Sequence, residues 1–155
     1  MRWLSRAWKA ADIAAGGICD ARSAGAAVVL GAEGVQMGTR MLASHEAAVH
    51  ANFKNAIMSA GDDGTVMLDL PGNPTMRVLR TGLAARAAAA DPNVQLLGRI
   101  TDLYFEGDMD ASVANTGQVS SRITDLQPAS HIVKQTWSEI ANALREGNSR
   151  LGDRC

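Results

Sequence analysis

Cysteine is nearly missing from this 155-residue chain: Cys19 and Cys155 are the only two. A disulfide framework needs several pairs, and a structural zinc site needs ligands at short spacings, so neither is expected. A reducing, cytoplasmic setting is expected instead. Aromatic residues make up 4% of the chain. Alanine and branched aliphatics must therefore build the core. They allow helix and sheet to approach closely but bury little area per residue. Long apolar runs are missing too. No stretch approaches the ~20 residues of a membrane span. The start, "MRWLSRAWKAADIAAGG", lacks the apolar middle of a signal peptide and is interrupted by Asp12. Charge of one sign does not accumulate: the net charge is −1, without a run of like charges. No nucleic-acid or membrane partner is expected on that basis. The nucleotide fingerprints G-x-G-x-x-G and Gly-rich-loop-Lys do not occur.

What is present is concentrated in residues 14–40, "AAGGICDARSAGAAVVLGAEGVQMGTR". Residues 12–16 read as a short apolar strand stopped by Gly16-Gly17. Asp20 can cap a helix reaching Leu30, with Gly31 as its stop. Residues 34–37 read as a second strand, stopped by Gly38-Thr39. Strand, helix and strand in so short a span make a βαβ unit with parallel strands. Both glycine turns then lie at the carboxyl ends of the strands, where α/β folds bind ligands. Glycine brings backbone N–H groups up to an anion without a Cβ in the way. Two such turns side by side can clasp one phosphate, with Thr39 adding a hydroxyl. The competing reading is that the glycines serve only tight turns and close contacts.

Further along, Ser44 is read as the cap of a second helix. Val49, Phe53, Ala56, Ile57 and Ala60 share one face of it, and Gly61 ends it. A strand at 65–69 follows, then a Pro/Gly/Asn break, a short strand, and a helix through the alanine run. Residues 93–122 read mainly as loop with a helical turn. The last helix, from Pro128 to Glu146, carries Ala129, Ile132, Val133, Trp137, Ile140, Ala141 and Leu144 as one stripe, with Gly147 at its end. Residues 148–155 are expected to form a flexible tail.

Other groups have ordinary readings. His45 and His50 are five apart, which does not place them on one helix face, so "HEAAVH" is no zinc helix. His131 falls on the polar side of the last helix. Glu106, Asp108 and Asp110 suit a solvated loop better than a calcium loop. Cys19 sits at a helix start, where its pKa is expected to fall and its thiol to be mildly reactive. Trp3 and Trp8, five apart, have two readings, covering an apolar patch or lying disordered, and the sequence does not choose between them.

The wording of residues 14–57 resembles the nitronate monooxygenase family, FMN-dependent TIM-barrel enzymes related in fold to flavin-dependent enoyl reductases. "RVLRTGLA" and "GDMDASVANTGQVSSRI…PASHIVKQTW" continue the resemblance more loosely. The resemblance implies an α/β fold, a partial TIM barrel contributing its last two parallel strands and a C-terminal helical segment. Residues 1–147 would be the C-terminal part of that flavin-binding domain. By resemblance, Gly17 matches the phosphate-binding glycine after strand seven, with Gly16 beside it. Gln36, Met37, Gly38 and Thr39 match the Q-x-G-T phosphate loop after strand eight. Gly117 and Gln118 match a Gly-Gln pair near the active-site mouth. FMN is the implied cofactor and a small nitronate the implied substrate.

Departures from the family are visible. A TIM barrel takes about 250 residues. The family's earlier flavin contacts and catalytic histidine belong to segments ahead of strand seven that have no counterpart here. No catalytic residue is therefore assigned, and a truncated homologue is expected. Unpaired strand edges would favour self-association. The alternatives are a remnant binding FMN or another phosphate ligand weakly, and a purely structural fragment.

Overall fold

The computed structural model describes residues 11–152. Trp3, Trp8 and Cys155 lie outside the described residues. The fold is α/β with two small sheets. In the first, β1 (Ile13–Ala15) and β2 (Gly34–Gln36) are joined by α1 (Ala21–Val29). The strands are parallel, with Ile13 opposite Gly34 and Ala15 opposite Gln36. This is the βαβ unit read from the sequence. Asp20 caps α1 through a capping box: its carboxylate accepts from the Ser23 N–H, and the Ser23 hydroxyl accepts from the Asp20 N–H. At Gly34 a Cβ would lie 2.7 Å from Ile13 Cδ1, so a larger residue there would turn the end of the exposed Ile13 side chain aside.

One helical turn, α2 (Thr39–Leu42), follows β2, and α3 (Ala51–Met58) follows after a gap. Ser44 does not cap α3, contrary to expectation. It bridges to Gln127 in the C-terminal segment. Its carbonyl and that of His45 accept from the buried Lys54 ammonium at 2.7 and 3.2 Å. These contacts hold residues 44 and 45 out of a helix. His50 caps α3 instead, its Nδ1 accepting from the Asn52 N–H. Helix α3 ends at Met58 rather than at Gly61.

The second sheet is an antiparallel hairpin of β3 (Thr65–Leu68) and β4 (Met76–Leu79). It leads into α4 (Gly82–Ala88), capped by Thr81 and by Asp110, whose carboxylate accepts from the Leu83 N–H at 2.6 Å. The long loop holds a π-helical segment at Asp102–Glu106 and a 3-10 turn at Gln118–Arg122. The main core gathers Phe53, Ile57, Leu79, Leu103, Val119 and Ile123, with the Phe53 and Tyr104 rings stacked at 5.0 Å. The hairpin and α4 build a second cluster around Leu68, Val78 and Leu83. The β1–β2 unit has only a small cluster of its own: Ile18, Ala24 and Ile140.

Ile140 belongs to α5 (Ala129–Gly152), which lies on α1. Gly25 admits this helix closely: a Cβ there would stand 3.4 Å from Leu144 Cδ2. The expected stripe is only partly buried. Ile132, Thr136 and Ile140 form the covered row, whereas Val133 is 53% and Trp137 61% exposed. The row four residues apart faces α1, and its neighbour lies beside the open edge of β2. Gly147 does not end α5, and residues 148–152 continue the helix instead of forming a tail. Among the described residues no helix is long and apolar enough to cross a membrane.

Candidate functional site

The two glycine turns face one cleft. Ala15, Gly16, Gly17, Ile18, Gln36, Gly38, Thr39, Gly117 and Val119 line a volume of about 250 Å³ at the carboxyl ends of β1 and β2. Gly16 and Gly17 have φ +84° and +75°, a conformation that side chains other than glycine's rarely adopt. Nothing lies within 4 Å of where a Cβ would stand on either. Gly38 differs: its φ is −90°, so the special backbone is confined to the first turn. The N–H groups of Gly17, Gly38 and Thr39 have no acceptor among the described residues. They are donors left free at a cleft that a polar or anionic group can enter.

A third segment closes the cleft. The Gly117 N–H donates to Thr39 Oγ1 at 2.7 Å. Thr116 Oγ1 lies 3.5 Å from the same oxygen. Thr39 Oγ1 therefore accepts from the C-terminal segment and keeps its own proton to donate. More tethers hold this segment down. Arg122 pairs with Asp20 at 2.6 Å. Arg40, 5% exposed, donates to the Asp125 carbonyl at 2.7 Å and to its carboxylate at 3.0 Å. The Ala129 N–H donates to Glu46 at 2.8 Å.

Six of the eight residues singled out from the sequence share this cleft: Gly16, Gly17, Gln36, Gly38, Thr39 and Gly117. Met37 does not line it. Strand alternation turns its side chain towards α5, where its sulfur is 3.9 Å from Thr136 Oγ1. Gln118 is exposed at the start of the 3-10 turn and does not line the cleft either. The start of α1 adds no free anion site, because the Asp20 carboxylate already occupies it.

Cys19 overturns its expectation. The thiol is buried. Desolvation, reinforced by the Asp20 charge, pushes its pKa up despite Arg122, the Ser23 hydroxyl bond and Arg40. A raised pKa leaves less thiolate and lower reactivity. His45 precedes α3 and His50 caps it. His131 is exposed on α5. Asp108 pairs with Arg99 and Asp110 caps α4. No group of three or more metal-ligating side chains forms among the described residues. The sequence reading missed Arg40 and Arg122. Nothing local marks them, because their partners lie 85 and 102 residues away.

Comparison with known proteins agrees with this geometry. The nitronate monooxygenase family model matches residues 4–139. A 5-hydroxy-7a-methyl-1-oxo-octahydro-1H-indene-4-carboxyl-CoA dehydrogenase of Mycobacterium tuberculosis is 43% identical over 90% of this chain and 41% of its own length. A probable nitronate monooxygenase of Staphylococcus aureus is 47% identical over 86% of this chain and 39% of its own. Among solved structures, FabK from Thermotoga maritima matches with TM-score 0.80 and 33% identity over 89% of this chain and 46% of its own. The chain thus spans about two fifths of the length of the curated relatives it matches. On the family match and these identities, the chain belongs to the nitronate monooxygenase family.

Proposed function

We propose that this chain is the phosphate-holding part of an FMN-dependent oxidoreductase of the nitronate monooxygenase type, built on the last two strands of a TIM barrel. The observation that carries the reading is the cleft at the strand ends. Three backbone N–H groups without an acceptor among the described residues, and one hydroxyl proton, line it around two positive-φ glycines. A phosphate fits this donor set. It accepts several hydrogen bonds, and no Cβ at Gly16 or Gly17 obstructs its approach.

When bound, FMN supplies the redox chemistry, taking electrons from an acidic C–H substrate such as an alkyl nitronate and passing them to oxygen. The chain's own residues hold and orient. Gly17, Gly38 and Thr39 donate backbone N–H groups to phosphate oxygens. The Thr39 hydroxyl adds a donor, fixed in direction because Gly117 already binds its oxygen. Gly117 and Val119 bound the cleft on the side of the C-terminal segment.

The test is the visible spectrum of the purified chain after incubation with FMN and desalting. Retained flavin with a shifted, structured band is expected, together with competition by inorganic phosphate and weak binding of riboflavin. Gly17→Ala, which places a Cβ on a positive-φ backbone, is expected to lose the flavin. Riboflavin binding as tightly as FMN would overturn the reading.

A further inference from the structure

We propose that Arg122 is the cation that binds the phosphate at the glycine turn, a role that rests on the FMN reading above. The backbone donors of the cleft are neutral dipoles, whereas a phosphate monoester carries close to two negative charges. A second, larger cavity of about 680 Å³ shares Gly16, Gly17 and Ile18 with the cleft and is bounded by Arg122. Among the described residues, Arg122 alone of the side chains lining these two cavities is cationic. The nearby cations have other placements. Arg40 is buried and engaged with Asp125, and Arg22 reaches Glu146 of α5 at 3.6 Å.

Arg122 can take the role without giving up its ion pair. Its side chain is 48% exposed and keeps contact with water while it pairs with Asp20 at 2.6 Å. Its partner Asp20 does not depend on it, because the Asp20 carboxylate also accepts from the Ser23 N–H at 2.8 Å and the Ser23 hydroxyl at 2.6 Å. The planar guanidinium has five donors, enough to keep Asp20 on one side and meet a phosphate oxygen on the other. Asp20 then acts against the ligand. Its negative charge stands beside the turn and competes for the same guanidinium. Arg122 and Asp20 should therefore affect the ligand in opposite senses, although they form one ion pair.

The experiment titrates the full chain with FMN, riboflavin and inorganic phosphate, following flavin fluorescence and calorimetry, in wild type, R122Q and D20N. Unfolding curves are recorded alongside to confirm that each variant is folded. R122Q is expected to weaken FMN and inorganic phosphate about 5- to 10-fold while leaving riboflavin unchanged. D20N, which keeps a side chain able to cap α1, is expected to tighten FMN. Equal weakening of FMN and riboflavin by both variants would make the pair a tether only and overturn the proposal. If the wild-type chain binds no FMN, the flavin reading falls. The inorganic phosphate titration then still decides Arg122: lower affinity in R122Q supports it, and equal affinity removes it.

Discussion

Gly117 and Thr39, 78 residues apart, are joined by a hydrogen bond of 2.7 Å from backbone N–H to side-chain hydroxyl. A Cβ on Gly117 would stand 3.0 Å from that hydroxyl. A larger residue there would have to push Thr39 back by a few tenths of an ångström, whereas the φ of −92° would suit any residue.

Replacing Thr39 with valine keeps the shape and removes the acceptor. The Gly117 N–H is then left without its partner, at a cost of about 1 kcal/mol. Urea unfolding should show that loss for Thr39→Val and little change for Thr39→Ser. Amide exchange at Gly117 should accelerate in the valine variant alone. Equal exchange in both would mean that the hydroxyl does not hold the segment.

Asp20 ties stability to pH. Burial raises its pKa, but hydrogen bonds from the Ser23 hydroxyl and N–H, with the charges of Arg122 and Arg22, outweigh burial and leave it below the usual carboxylate value of 3.8. The folded chain therefore binds this proton less readily than the unfolded chain. The stability that Asp20 contributes is complete above the unfolded pKa and disappears as pH falls through the folded one. The gap in melting temperature between wild type and D20N should be constant near neutrality and narrow below about pH 4. A gap unchanged down to pH 2.5 would contradict this.

On α5, two adjacent rows predict different outcomes. Ile132 is 2% exposed, so Ile132→Ala should cost about 2–4 kcal/mol through lost contacts and a residual cavity. Trp137 is 61% exposed, so Trp137→Ser should stay within about 0.5 kcal/mol despite removing a far larger side chain. Chemical unfolding of the two variants checks the order, and a reversed order would place the covered face of α5 wrongly.

The β1–α1–β2 unit was legible because residues inside it set each boundary: Asp20 with Ser23 at the start of α1, and Gly16, Gly17 and Gly31 at the turns. The start of α3 was not. Ser44 has the chemistry of a cap, but Gln127 and Lys54, both reached only through the folded chain, decide its role. The α5 stripe was legible as apolar, yet which row faces α1 depends on contacts made only in the folded chain, such as Ile140 with Ile18 and Ala24. In the candidate site, the glycines and Thr39 stood out by residue type. Gln36 and Met37 enter through the family's Q-x-G-T loop, and alternation along the strand sends the Met37 side chain to the opposite face. Gly117 had no local pattern and came from family resemblance. Arg122 had neither.

The contacts that roof the cleft connect residues 78, 85 and 102 positions apart. Contacts of such long range close late, because the chain must lose much of its freedom before they form. The glycine turn itself is local and needs no distant partner. The cleft therefore exists in two grades: an open turn that forms early, and a roofed site that exists only once nearly the whole chain has folded. A ligand gripped by both registers completion of the fold.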